Sequence, residues 1–180
     1  HVDAHSDTNE AMFGEEVAHG CPFRRAWEDG CLQNDKVFQI GLRGTGYAPE
    51  DFDWGRSKGW SVIPSEACWH KSLTPLMEQI RARIGDTPVY LTFDIDSLDP
   101  AYAPGTGTAE LGGLTVPQGM EIVRGCAGLN LVGCDLVEVS PPYDLAGNTA
   151  VAAAGLLFEM LCALPGVSRV RREAISDIAF

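Results

Sequence analysis

Short apolar segments rich in β-branched and aromatic residues alternate along this chain with amphipathic segments. Each apolar segment is bounded by Gly, Pro or Asp, as short buried strands usually are. Parallel strands need crossover connections, so this alternation predicts an α/β fold in which helices cover a mostly parallel sheet. Residues 1–2 are expected to end one further strand. The other predicted strands are 36–43, 60–63, 89–93 and 131–139.

Three helices are predicted between and after these strands. Apolar residues over 73–84 recur at the i, i+3, i+4 spacing of a helix, and Gly85 follows the last of them. Residues 115–118 have the Thr-x-x-Gln spacing of a capping box, before a helix that Gly125 can end. A third helix is expected over about 148–164. The 180 residues are therefore predicted to form a single domain, 1–180.

Charge and composition exclude several classes of function. The chain carries 13 basic and 25 acidic residues, a formal net charge of −12, which opposes binding to nucleic acid. Its most apolar stretch, 150–158, is interrupted by Glu159 and is too short to span a membrane. The six cysteines lack CxxC spacing, so we expect reduced core thiols and a cytoplasmic location or an organelle matrix.

Two clusters of metal-ligand residues follow predicted strands. Asp3, His5 and Asp7 stand at alternate positions, so an extended segment presents all three on one face. Asp94 and Asp96 repeat this spacing directly after the strand over 89–93. Because open α/β sheets bind ligands at the carboxyl ends of their strands, we expect the two clusters to meet there.

The composition of these clusters indicates the kind of metal. Four carboxylates and one imidazole, without a thiolate, suit Mn²⁺ or Mg²⁺, and the imidazole favours Mn²⁺. Two divalent ions would neutralise carboxylates that otherwise repel each other, and would activate water for attack on an electron-poor carbon. The alternative is that Asp3 and Asp7 cap turns, His5 is a surface histidine and 94–99 is a solvated loop.

Four segments of the chain form a distinctive combination: His-Val-Asp-Ala-His-Ser-Asp (1–7), Phe-Asp-Ile-Asp-Ser-Leu-Asp-Pro (93–100), Ala-Pro-Gly-Thr-Gly-Thr (103–108) and Asp-Leu-Val-Glu-Val-Ser-Pro-Pro-Tyr-Asp (135–144). Together they resemble the ureohydrolases, a family that includes arginase, agmatinase, guanidinobutyrase and guanidinopropionase. The branch that contains the last three is the most similar. The resemblance implies a three-layer α/β/α fold of the arginase type, here its C-terminal portion. It also implies a hydrolase of C–N bonds in linear amidines, active in arginine and polyamine metabolism.

The resemblance also implies two Mn²⁺ ions per subunit and a homotrimer or homohexamer. The family's remaining ligand is a histidine on an earlier segment, and the chain opens at His1 inside the motif. We therefore expect a fragment that lacks an N-terminal part and is one ligand short. The implied metal ligands are Asp3, His5, Asp7, Asp94 and Asp96, of which Asp96 is also assigned to catalysis.

Four further residues are assigned to the substrate. Glu138, expected at the end of the last strand, would pair with the guanidinium, and Thr108 would help to hold it. His19 would protonate the leaving amine, a task suited to a group that titrates near neutrality. Asn9 would donate to a carboxylate at the far end of the substrate, which favours 4-guanidinobutyrate or 3-guanidinopropionate over agmatine.

Several of these residues are also compatible with ordinary structural roles. His19 and Thr108 are also compatible with ordinary turns, and Arg24 and Arg25 with a solvated helix face rather than a field for an anion. Thr92 and Asp135 are expected either to orient metal ligands or simply to pack between strands. A different class of function, a non-catalytic α/β relative, is kept open, and a metal-dependent deacetylase is less well supported.

Overall fold

The computed structural model describes residues 1–44, 46 and 51–168. Its four strands confirm the four predicted positions, and all are parallel to their neighbours. β1 pairs with β2, with Phe38 opposite Ser61, and β3 pairs with β4, with Asp94 opposite Val137. The strands are β1 (Phe38–Leu42), β2 (Ser61–Pro64), β3 (Val89–Asp94) and β4 (Leu131–Val137).

The segment around Val2 joins the two strand pairs into one sheet. Val2 forms parallel bridges to Ile40 of β1 and Phe93 of β3. Its amide donates to the carbonyl of Thr92 at 3.0 Å, and its carbonyl accepts from the amide of Asp94 at 2.8 Å. The strand order is therefore β2, β1, the Val2 segment, β3 and β4, which confirms the expected strand end at residues 1–2.

Five α-helices lie in the described part of the chain. The three predicted helices are present, and the capping box is complete, because Thr115 and Gln118 bond each other's backbone. Gly85 ends α3 with φ +59°, a conformation that glycine adopts without strain. The short helix α2 was not predicted, and α1 was expected only as the helix face that carries Arg24 and Arg25. The helices are α1 (Pro22–Glu28), α2 (Asp51–Ser57), α3 (Thr74–Ile84), α4 (Val116–Gly125) and α5 (Asn148–Ala163).

The core lies between the sheet and helices α3, α4 and α5. Phe93 and Leu91 of β3 pack there with Met77 of α3, Ile122 of α4 and Leu156 of α5, and all five side chains are buried. Burial of such side chains contributes roughly 1.5–3 kcal/mol each to folding. The core fixes the sheet, and with it the positions at which the strands end.

Two details differ from expectation. β4 ends at Val137 instead of 139, because Glu138 has a φ of +66° that no strand continues. The cysteines are not all core thiols, since Cys31 is exposed whereas Cys21, Cys68 and Cys126 are buried. Within the described residues, no helix combines the length and the apolar character that a membrane crossing requires.

Candidate metal and substrate site

The carboxyl ends of the central strands bring the two predicted ligand clusters together. Asp3 follows the Val2 segment, and Asp94 ends the neighbouring β3. The chain then turns through a 3₁₀ turn, Ile95–Ser97, in which the amide of Asp96 donates to the Asp94 carboxylate at 2.9 Å. The amide of Ala4 donates to Asp96 Oδ1 at 3.1 Å and ties the clusters to each other.

Asp3, His5 and Asp96 form the first group that could hold a metal ion. Nδ1 of His5 lies 3.0 Å from Oδ2 of Asp96 and 3.5 Å from Oδ1 of Asp3. One ligand atom from each of the three residues lies within 4.8 Å of the others. Asp3 and Asp96 are only 2% and 1% exposed, so their charges need a compensating cation.

A second group contains His1, Asp3 and Asp7, again with ligand atoms within 4.8 Å of one another. Nε2 of His1 lies 2.7 Å from Oδ2 of Asp3, and its Nδ1 lies 3.1 Å from the side-chain nitrogen Nε2 of Gln39. The prediction did not include His1. The alternation that selected the other residues also places position 1 on their face, so the same pattern could have found it.

Electrostatics explain why these residues suit a cation. Burial raises the pKa of Asp94 to about 10, with a further increase from the charges of Asp3 and Asp96. Burial and the charge of Asp3 raise the pKa of Asp7 to about 7. Without a cation, this cluster must therefore retain protons on part of its carboxylates.

The hydrogen-bonded partners His5 and Asp3 have pKa shifts that favour their charged forms. Burial lowers the pKa of His5, but hydrogen bonds to Asp3 and Asp96 outweigh it and raise the pKa to about 10. Burial raises the pKa of Asp3, yet His1 and His5 outweigh it and the net pKa falls well below the usual range. A divalent ion would replace these protons, and the hard oxygen and nitrogen donors fit Mn²⁺ or Mg²⁺.

Thr108 is brought to the cluster as well. Its hydroxyl donates to Oδ2 of Asp96 at 3.0 Å, while its side chain remains open to solvent. The loop that carries it is held by Thr149 of α5, whose Oγ1 accepts from the amide of Gly105 at 2.8 Å. Thr108 therefore lies on the outer side of the carboxylate cluster, in contact with both Asp96 and solvent.

Asp7 and Glu138 share an unusual backbone conformation. Their φ angles are +51° and +66°, in the left-handed region that residues with a Cβ atom rarely adopt. Glu138 directly follows Val137, which lies opposite Asp94 in the sheet, so it stands at the same sheet end as the carboxylates. Strain of this kind is concentrated at functional sites.

His19 and Asn9 lie in neighbouring loops. The amide of Asn9 donates to the carbonyl of Gly20 at 3.0 Å. The ring of His19 is exposed and lies 6.3 Å from the ring of Phe13. In the described residues no contact connects the His19 ring to the carboxylates, so its role stays a prediction.

Two pairs of residues have the ordinary structural roles that were the alternative to a role at the site. Oγ1 of Thr92 donates to Asp135 at 2.7 Å, and the hydroxyl of Tyr90 donates to the same carboxylate at 2.8 Å, which is cross-strand packing. Arg24 and Arg25 lie on α1 and pair with Glu28 at 3.1 and 3.0 Å. Their side chains are 21% and 23% exposed, so they lie on a helix face that is only partly solvated.

Sequence reasoning also missed three residues around His5. A Cβ atom at Gly44 would overlap Cδ2 and Nε2 of the His5 ring, so only glycine permits this ring position. Oε1 of Glu110 lies 3.7 Å from Nε2 of His5. The guanidinium of Arg43 donates to backbone carbonyls on both sides of the ring.

This fold and site define an α/β protein with a cluster of carboxylates and imidazoles that could hold a metal ion at the carboxyl end of a parallel sheet. The family model described as "Arginase family" matches residues 1–162, and the chain belongs to that family. The fold is of the arginase type. A solved structure, proclavaminate amidino hydrolase from Streptomyces clavuligerus, has a TM-score of 0.84 and 38% identity; the match covers 89% of this chain and 54% of that one.

Two curated relatives are more similar in sequence. The guanidinobutyrase of Pseudomonas aeruginosa is 63% identical over 94% of this chain and 53% of its own length. The mitochondrial agmatinase of Gallus gallus is 59% identical over 93% of this chain and 49% of its own length. The chain thus spans about half the length of these curated relatives.

Proposed function

We propose that the protein containing this chain hydrolyses the guanidinium group of a linear guanidino compound to urea and an amine. The convergence of Asp3, His5 and Asp96 at the carboxyl end of the sheet is the observation that carries this proposal. Membership of the arginase family supports it, as do the names guanidinobutyrase and agmatinase of two relatives.

Two Mn²⁺ ions are the proposed cofactors. Asp3, His5, Asp7, Asp94 and Asp96 would hold them, and one further ligand is expected from outside this set. When bound, the ions supply a water that is nucleophilic at neutral pH. The carboxylates otherwise keep one another protonated, as the raised pKa values of Asp7 and Asp94 indicate.

The remaining site residues would act on the substrate. Glu138 would pair with the guanidinium and Thr108, beside Asp96, would help to orient it. Water adds to the guanidinium carbon, and the C–N bond to the substituted nitrogen then breaks. His19 would give a proton to that nitrogen, so that urea and a free amine leave.

A guanidino acid, 4-guanidinobutyrate or 3-guanidinopropionate, is the proposed substrate. Asn9 could donate an amide hydrogen bond to its carboxylate. The identity to the guanidinobutyrase of Pseudomonas aeruginosa supports this assignment.

Agmatine is the second candidate, and the charges near Asn9 favour it. Asn9 lines a surface pocket together with Glu10, Asp51 and Asp53. Arg24, in the same pocket, already pairs with Glu28 at 3.1 Å and Glu10 at 3.6 Å. Asp53 pairs with Arg56 at 2.9 Å, yet the pocket is lined by three acidic residues and one arginine, a charge balance that suits a cationic tail better than a carboxylate.

The experiment is urea release by the complete gene product with Mn²⁺, comparing 4-guanidinobutyrate, 3-guanidinopropionate, agmatine and arginine. Asn9→Asp is the discriminating variant, because a new carboxylate repels an acid substrate and attracts agmatine. We expect the KM for the guanidino acid to rise by about tenfold or more. Asp94→Ala should abolish release. A folded, Mn²⁺-loaded protein inactive on all four would instead support a non-catalytic relative.

A homotrimer or homohexamer is also proposed. Val151, Phe158 and Leu161 of α5 are 74%, 65% and 59% exposed in this chain, an apolar face that a second subunit or a further part of the complete protein would cover. Light scattering after size-exclusion chromatography measures the mass directly. A monomer at micromolar concentration would contradict the proposal.

A cytoplasmic or organelle-matrix location remains a prediction.

A further inference from the structure

The imidazole of His5 is enclosed on three sides. Its Nδ1 faces the carboxylates of Asp96 and Asp3, and its Nε2 faces Glu110. Gly44 closes the third side, since any Cβ atom there would overlap the ring. The ring position is therefore set by Asp3 on its own segment and by residues on three other segments of the chain.

Glu110 faces only one of the two ring nitrogens of His5, namely Nε2. Its Oε1 lies 3.7 Å from Nε2 of His5, a separation at which it acts through its charge or through one bridging water. A neutral imidazole that carries its proton on Nε2 leaves the lone pair of Nδ1 free. That lone pair faces Asp3 and Asp96, where a metal ion would lie.

Arg43 fixes Glu110 and Asp96 relative to each other. Its Nη2 donates to the carbonyl of Glu110 at 2.7 Å and to that of Asp96 at 2.8 Å. One rigid guanidinium thus connects the loop on the Nε2 side of the ring to the turn on the Nδ1 side. Within the described residues, the carbonyls that accept from it are those of Gly41, Asp96, Ser97, Leu98, Glu110 and Leu111.

We propose that Glu110, whose backbone is held by Arg43, is a positioning residue that orients the His5 ring through Nε2 and thereby presents Nδ1 to the metal. The inference rests on the proposed metal-dependent function. Carboxylates that accept from the second nitrogen of a ligating histidine strengthen metal binding in this way. Neither Glu110 nor Arg43 needs to touch the substrate.

The test is a Mn²⁺ titration of the complete gene product, in which electron paramagnetic resonance counts the free ion. Glu110→Gln keeps the shape of the side chain and removes its charge, and we expect it to weaken Mn²⁺ binding by about tenfold or more. Glu78→Gln, at an exposed glutamate of α3, is the matched control and should stay within about twofold of the wild type. Arg43→Lys, which cannot span both carbonyls, should weaken binding as Glu110→Gln does.

A thermal scan separates positioning from a merely structural role. In excess EDTA, Glu110→Gln should unfold at the wild-type temperature, whereas the increase in Tm on adding Mn²⁺ should shrink. Wild-type affinity in Glu110→Gln would overturn this inference alone, as would a loss of affinity explained by a lower Tm in EDTA. A wild-type protein that binds no Mn²⁺ would overturn the proposed function as well.

Discussion

Nδ1 of His5 lies 3.0 Å from Oδ2 of Asp96, although the two residues follow different strands. The contact exists because the Val2 segment and β3 are hydrogen-bonded neighbours whose carboxyl ends coincide. It places an imidazole against a carboxylate that is 1% exposed, at the point where a divalent ion would bind both. The sheet, and not any local sequence, assembles the site.

Removing the charge of Asp96 tests this contact. Asp96→Asn should weaken Mn²⁺ binding by more than about a hundredfold, beyond the usual effect of a residue that only orients a ligand. The measurement is the same Mn²⁺ titration. Asp86→Asn, at an exposed position after α3, should leave the affinity unchanged. Equal affinity in both variants would contradict the assignment of Asp96.

Gly44 offers a purely steric test of the His5 position. The methyl group of Gly44→Ala would overlap the ring, so we expect the ring to move and Mn²⁺ affinity to fall about tenfold or more. Gly155→Ala, on α5 with no atom within 4 Å of the new methyl, is the matched control. It should increase helix stability by roughly 0.5–1 kcal/mol and leave affinity unchanged. A Gly44→Ala protein with wild-type affinity would show that the ring position is unimportant.

The left-handed backbone at Glu138 predicts a separation of stability from function. Glu138→Gly and Glu138→Ala should both raise the KM for the guanidino substrate. Glu138→Gly should be more stable than Glu138→Ala by about 1 kcal/mol, because only glycine adopts φ +66° without strain. Chemical denaturation and steady-state kinetics provide the two readouts. Equal stability of the variants would argue against strain, and an unchanged KM would remove Glu138 from the site.

Asp99 predicts a pH dependence of stability. Its carboxylate accepts hydrogen bonds from the amides of Ala101, Gly112 and Gly113 at 2.9, 2.8 and 3.1 Å. Burial raises the pKa of Asp99, but these bonds outweigh it and hold the pKa below its ordinary value of 3.8. The stabilisation is therefore complete above the unfolded-state pKa and is lost as the pH falls through the folded-state pKa.

Asp99→Asn should accordingly lower the free energy of unfolding by about 1 kcal/mol at neutral pH. The difference from the wild type should shrink below about pH 4, as the wild-type carboxyl group becomes protonated. Urea denaturation in excess EDTA, repeated across this pH range, measures it without a contribution from metal binding. A difference that stays constant down to pH 3 would contradict the predicted linkage.

Much of the fold was predictable because its strands and long helices carry local patterns. The apolar periodicity of α3 and the capping box of α4 are such patterns, and the structure confirms both. α1 and α2 have seven residues each, too few for apolar periodicity to identify a helix. The end of β4 was placed two residues late, since nothing in its composition indicates the left-handed turn at Glu138.

The residues of the candidate site also divide into those that a local sequence pattern identifies and those that only the folded chain brings together. Asp3 and His5, and likewise Asp94 and Asp96, have ligand chemistry at alternate positions, so the sequence alone could select them. Arg43 could not be found like this, because it binds backbone carbonyls, which every residue has. Glu110 lies in an irregular loop, and only the folded chain brings it to His5.

Urea release with and without metal tests the central claim most directly. The complete gene product should release urea from 4-guanidinobutyrate or a related guanidino compound, lose this activity after dialysis against EDTA, and regain it with two Mn²⁺ per subunit. Asp96→Asn should stay inactive at the Mn²⁺ concentration that restores the wild type. Full urea release in excess EDTA, or activity in Asp96→Asn equal to the wild type, would contradict a manganese hydrolase built on Asp3, His5 and Asp96.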